Sequence, residues 1–222
     1  METSIIVLTS YAISVVVTFV LSMYFFREYR YKKLRASLAW GIGLFLYAFT
    51  QLTDISVAVF GEMSVGKPGL VAGLVVTALG MVLFYYGTSL LFFSPGSFFR
   101  EKMSALILVV YTLYFSYLVI TLPVEGFREA VVAPIHIGLL VPIFLVISVL
   151  FYRVSRRLPH DDPRRRTILL VSAGWLCLVF NSGFRAFFLG YNPILDALIE
   201  SLHVLAWILI LYGMVLGKVA KT

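Results

Sequence analysis

Charge is scarce in this sequence. Only 13% of its 222 residues are Asp, Glu, Lys or Arg, where an ordinary soluble domain carries about 25%. Cysteine is nearly absent too. Cys177 stands alone in an apolar run, so no intrachain disulfide can form. There is no glycine-rich loop to cradle a phosphate, no serine nucleophile elbow and no cysteine pair. These absences exclude a disulfide scaffold and P-loop chemistry. No segment is both long and polar enough to make a separate soluble domain. What fills the chain instead is hydrocarbon: 61% of residues are hydrophobic and the mean hydropathy is +0.97. The expectation is one all-α membrane domain covering residues 1–222.

Seven apolar runs support it, at Ser4–Phe26, Ser37–Phe60, Gly69–Phe93, Ser104–Leu122, Val131–Tyr152, Thr167–Leu189 and Ile194–Gly217. Each approaches the ~20 residues that cross about 30 Å of bilayer core. The first run follows Met1-Glu2-Thr3-Ser4 with no basic region ahead of it, and it is too long for a cleaved signal, so it reads as a retained span.

Basic residues are distributed unevenly. Arg27–Arg35, the connection with Arg100 and Lys102, the connection Arg153–Arg166, and Lys218 with Lys221 hold 15 of the 18. Alternate connections hold Glu2, Asp54, Glu62, Glu125, Glu129, Asp196 and Glu200 against Lys67, Arg128 and Arg185. The positive-inside rule then places the N-terminus outside and the C-terminus in the cytoplasm of a multi-pass plasma-membrane protein. The lipid bilayer is the expected partner of the basic loops, and nucleic acid is not, because no basic stretch belongs to a foldable soluble element.

Small residues and prolines mark packing. Gly69 and Gly73 form a small-xxx-small pair, and Gly41, Gly43 and Gly174 permit close backbone approach. Ser14, Thr18 and Ser22 read as helix–helix contacts, and Tyr111, Tyr114 and Tyr117 as packing aromatics. Pro134 is expected near the start of the fifth span, where a missing N–H is cheap, and Pro142 to bend it. Pro193 suits the first turn of the seventh span.

Spans one to three can also be laid on spans five to seven as a parallel three-one-three repeat. Ser22–Arg27 falls on Ser148–Arg153 and Leu79, Tyr86 and Gly87 on Leu205, Tyr212 and Gly213, all at an offset of 126. Gly43, Phe49, Thr50 and Asp54 fall on Gly174, Phe180, Asn181 and Arg185 at 131.

Function is sought in the polar residues inside the spans, because an ionisable group at the bilayer centre costs about 2.5–3.5 kcal/mol. Asp196, Glu200, His203 and Trp207 step by four, three and four, so they line one helix face. Asp54, Gln51, His136, Asn181, Arg185, Glu200 and His203 all fall in the outer half of their spans and are the candidate ligand-binding residues. Arg185 offers a fork to a carboxylate or phosphate, with Asp54 either its ligand-gripping partner or a structural counter-ion. His136, Glu200 and His203 are weak metal candidates, because Glu-x-x-His spacing puts two ligands on one face. The alternative is a hydrogen-bonded pair or proton relay. No cofactor is expected, and no residue set points to catalysis.

The stretch Leu38-Ala39-Trp40-Gly41-Ile42-Gly43-Leu44-Phe45-Leu46-Tyr47-Ala48 after the basic loop, and Tyr85-Tyr86-Gly87 before the aromatic turn Ser94–Phe99, resemble the seven-helix sensor region of prokaryotic histidine kinases and related regulators. The resemblance implies sensing of a small ligand or proton outside or within the membrane, and an output domain. Only Lys218–Thr222 follow the seventh run, so the expectation is either a separate cytoplasmic or membrane signalling partner or a bare sensor region. A small-solute or proton-coupled transporter is the alternative, since the repeat is similar to the seven-helix sugar transporters built from two three-helix bundles. A zinc-dependent membrane hydrolase of the same topology is weaker, with only His203 in the seventh span.

Overall fold

The computed structural model describes residues 5–125, 127–188 and 192–216. Every element in it is helical: α1 (Ile5–Lys32), α2 (Arg35–Phe60), α3 (Glu62–Phe92), the short α4 (Phe98–Glu101), α5 (Met103–Thr121), α6 (Phe127–Ile135), α7 (Val141–Arg157), α8 (Pro163–Phe188) and α9 (Pro193–Leu211). Two π-turns, His136–Leu140 and Tyr212–Leu216, continue α6 and α9. Seven stretches are long and apolar enough to cross a membrane, with α6, its π-turn and α7 forming one of them. Side chains such as Val16, Leu113, Ile120, Phe187 and Leu198 are exposed along these helices. Water would penalise such surfaces and lipid would not, so a multi-pass bundle in contact with the bilayer is the physical reading.

The chain divides into two compact units, Met1–Val132 and Ala133–Thr222. In the first, α1 buries a four-spaced stripe, Ser10, Ser14, Thr18 and Ser22, and the Ser22 hydroxyl donates to the Gly41 carbonyl at 2.8 Å. Lys33, in the left-handed region at φ 55°, turns the chain from α1 into α2 within two residues. α2 and α3 approach closely: a Cβ on Gly43 would meet the Phe84 ring at 2.9 Å and the Gly80 carbonyl at 3.1 Å. One on Gly87 would lie 3.1 Å from the Ala36 carbonyl, against Trp40. Trp40, Tyr47 and Phe84 form the aromatic core there, with Phe84 fully buried. α3 kinks at Gly66, whose φ of 70° no helix contains, so the apolar run starts at Pro68 as its own first turn. Lys67 donates to the Leu122 carbonyl at 2.7 Å and caps the end of α5.

The second unit packs α7 on α8 and α8 on α9. Ser148 and Ser172 each donate to the other's carbonyl at 2.9 Å. A Cβ on Gly174 would lie 2.8 Å from the Ala206 carbonyl, and one on Gly213 2.6 Å from the Thr167 carbonyl. Phe144, Trp175 and Trp207 form a buried aromatic column.

Two packing expectations change. α6 begins at Phe127, so Pro134 lies inside a helix and not at its cheap first turn. The strain of Pro134 and Pro142 is taken up between them by the π-turn, where the Val141 N–H reaches back to the His136 carbonyl. Gly73 does give close approach to Thr53 of α2, but the position of Gly69 is crowded only by Val65 of its own helix.

Candidate functional site

Two places in the described residues gather polar groups, one in each unit. In the second unit they belong to α8 and α9. Asn192 opens α9, its side chain accepting from the Ile194 N–H at 2.8 Å, and Pro193 follows in the first turn, as expected. From that start Glu200, His203 and Trp207 share one face, and all three are buried to within 1% of full coverage. Asp196, a turn earlier, stays half-buried at the helix N-terminus, where a carboxylate is favoured.

Arg185 of α8 donates through Nη2 to Oε1 of Glu200. The other carboxylate oxygen lies 3.7 Å from Nδ1 of His203, and Nε2 of His203 accepts from the Trp207 indole N–H at 2.9 Å. The indole N–H can only donate, so His203 is the acceptor of that bond and turns its Nδ1 edge toward Glu200. Asn181 completes the group by donating to the Ile199 carbonyl at 2.7 Å. The cluster ties α8 to α9 and neutralises a charge that neither helix would carry alone into hydrocarbon. Arg185 thus takes its ion-pair partner from its own unit.

In the first unit, α2, α3 and the start of α6 leave a half-open cleft with about 70 Å³ of free space. It is lined by the half-buried Asp54 and by Thr50, Thr53 and Thr77, with apolar walls that include Leu74 and Phe127. The Thr50 and Thr77 hydroxyls are 3.0 Å apart, and Thr77 donates to the Gly73 carbonyl at 2.8 Å. Apolar walls with a few placed polar groups are the usual lining of a small-molecule site, and this cleft has room for a very small solute only.

The remaining candidates fall elsewhere. Gln51 is buried in the first unit, does not line the cleft, and its Oε1 accepts no hydrogen bond among the described residues. His136 opens the π-turn, half-buried. Among the described residues no three of His, Cys, Asp and Glu come together as a metal site requires. Comparison with protein-family models, curated proteins and solved structures finds no match.

The motif residues of α2 and α3 have a structural account. Gly41 meets Phe26, Gly43 meets Phe84, Gly87 meets Trp40, and the Tyr85 hydroxyl donates to the Phe99 carbonyl at 2.9 Å. They assemble the bundle and tie down the turn at residues 94–102; they do not line the cleft. Thr53, Thr77, Leu74 and Phe127 escaped sequence reasoning. Helical threonines bond to their own backbone so often that their hydroxyls carry little signal.

Proposed function

We propose that this protein is a sensor- or receptor-type module of the plasma membrane, taking a small ligand in the cleft of its first unit. The observation that carries this reading is a small half-open cleft whose apolar walls carry a carboxylate and three hydroxyls. The second unit's polar residues are buried and bonded to one another, which suits a structural tie. The charge bias sets the N-terminus outside and the C-terminus in the cytoplasm. Asp54 lies six residues before the end of α2, about 9 Å along the axis, so the cleft belongs to the outer half of the membrane. Ligand entry would shift α3 against α2 and reach the basic loops that a signalling partner would read. The likeness of α2 and α3 to the sensor region of histidine kinases agrees with this.

A solute that binds in the cleft should raise the melting temperature of the protein in micelles and alter labelling of cysteines placed in the turn at residues 94–102 that follows α3. Both responses should vanish in Leu74→Phe, which fills the cleft. A solute that binds yet leaves the labelling unchanged would end the sensor reading.

The transporter reading keeps one specific support, the parallel repeat. Ser22 bonds to Gly41 as Ser148 bonds to Ser172, at offsets of 126 and 131. Gly43 meets Phe84 and the Gly80 carbonyl as Gly174 meets Ile210 and the Ala206 carbonyl, at the same two offsets. Gly87 meets Trp40 and the Ala36 carbonyl as Gly213 meets Val171 and the Thr167 carbonyl. Uptake into proteoliposomes, abolished by Asp54→Asn, would put transport first.

A further inference from the structure

The turn between α7 and α8 concentrates one kind of side chain. Arg153, Arg156 and Arg157 lie in the last two turns of α7, and Arg164, Arg165 and Arg166 open α8, with no lysine among them. Arginine presents a planar fork that matches a phosphate bidentately, which the point charge of lysine does not. Arg164 is held inside the turn, donating through Nε and Nη2 to the Asp162 carboxylate at 3.0 and 2.7 Å. Among the described residues the other five make no side-chain hydrogen bond or ion pair; four of them are exposed and Arg165 is half-buried. The basic stretch between α1 and α2 differs. There Lys32 pairs with Glu28 at 2.8 Å, and Arg27 and Lys33 lie over the rings of Tyr31 and Tyr29.

Helix packing brings these forks to one level. Ser148 and Ser172 bond reciprocally at 2.9 Å, which fixes the height of α7 against α8. Arg156 lies eight residues past Ser148 and Arg164 eight before Ser172, so their backbones reach the same height at the turn. Residues 167–188 of α8 span about 33 Å at 1.5 Å per residue, close to the ~30 Å hydrocarbon core, which leaves the arginines in the headgroup layer. We infer that this turn binds a phosphomonoester headgroup, that of a phospholipid carrying two negative charges on one phosphate. A monoester has three acceptor oxygens and a charge of about −1.5 to −2, so forks from α7 and α8 can share it. A diester lipid offers two oxygens and a single charge, enough for one fork. The site lies wholly in the second unit and does not depend on the cleft of the first.

The probe is dioctanoyl phosphatidic acid, with dioctanoyl phosphatidylglycerol as the diester counterpart and inorganic phosphate as the free anion. Each is titrated calorimetrically onto the full chain in uncharged maltoside micelles at about pH 8, where the monoester is doubly charged. Saturable binding of phosphatidic acid is expected, at least roughly tenfold tighter than phosphatidylglycerol. Arg156→Gln with Arg157→Gln should remove that preference, and so should Arg165→Gln with Arg166→Gln. Both variants should melt near wild type, since surface substitutions cost little. Arg156→Lys with Arg157→Lys keeps the charge and loses the fork, and should bring the ratio down to about threefold or less. Arg27→Gln with Arg30→Gln should leave the preference intact. Equal affinity for the two lipids would overturn the inference. So would a preference lost equally in the Arg27 and Arg30 variant, because net charge alone would then attract the lipid, or one kept in full by the lysine variant. Inorganic phosphate that binds as tightly as phosphatidic acid would assign the turn to a free anion and overturn the lipid assignment.

Discussion

Glu200 sits between two partners that ask different things of it. One oxygen takes the Arg185 guanidinium and the other faces His203, whose orientation is fixed by Trp207. The helical spacing of Glu200, His203 and Trp207 was legible in the sequence, because period alone puts them on one face. The Arg185–Glu200 pair was not, because the sequence carries no distance between α8 and α9. Breaking a buried pair leaves the survivor uncompensated, so Arg185→Ala should cost about 3–5 kcal/mol. Removing both charges with shape retained, Arg185→Met with Glu200→Leu, should cost much less. Unfolding in mixed micelles, read as a double-mutant cycle, measures the difference. A double-variant loss equal to the sum of the Arg185→Met and Glu200→Leu losses would show that the charges are not coupled.

At the scale of elements, hydropathy placed the spans closely. The second and fourth runs, Ser37–Phe60 and Ser104–Leu122, correspond to α2 at Arg35–Phe60 and α5 at Met103–Thr121. The onset of α6 was missed by four residues, since Arg128 and Glu129 lower the hydropathy of a turn that is helical all the same. The π-turn could not be read, because an extra residue in an apolar helix leaves no mark in composition. Glycines make a sharper test of the packing. Gly43 and Gly174 each abut a carbonyl of the neighbouring helix, so Gly43→Ala and Gly174→Ala should each destabilise by about 1–3 kcal/mol. Gly183 of α8 has open space where a Cβ would go, so Gly183→Ala should be neutral or stabilise by up to roughly 1 kcal/mol. Uniform losses at all three positions, in the same unfolding assay, would refute the packing account.

For the molecule as a whole, the Ser22, Gly43 and Gly87 contacts of the first unit run parallel to the Ser148, Gly174 and Gly213 contacts of the second, while the polar residues near them differ. That makes an exchange possible. Asp54→Arg alone should destabilise by about 3 kcal/mol or more, because a guanidinium enters beside Leu74 without a carboxylate. Adding Leu74→Glu supplies the pair that Arg185 and Glu200 make in the second unit, and should recover most of the loss. Failure of the second substitution to rescue the first would show that the cleft and the cluster are not equivalent places. The cleft itself was beyond sequence reasoning: its volume is set by how α2, α3 and α6 lean together, and no residue type announces a gap.

The buried aromatic column of the second unit makes the protein its own optical instrument. Of three tryptophans, Trp40 lies in the first unit, while Trp175 and Trp207 lie in the second, edge to face at 6.0 Å. All three are sheltered from water, so emission from the folded chain should be blue, and it should redden as each unit opens. Trp40→Phe would leave a signal from the second unit only, and Trp175→Phe with Trp207→Phe a signal from the first. Denaturant titrations of these variants should then show whether the units melt together or in turn. Superimposable transitions mean one cooperative molecule, and separated transitions mean two folding bodies in a single chain.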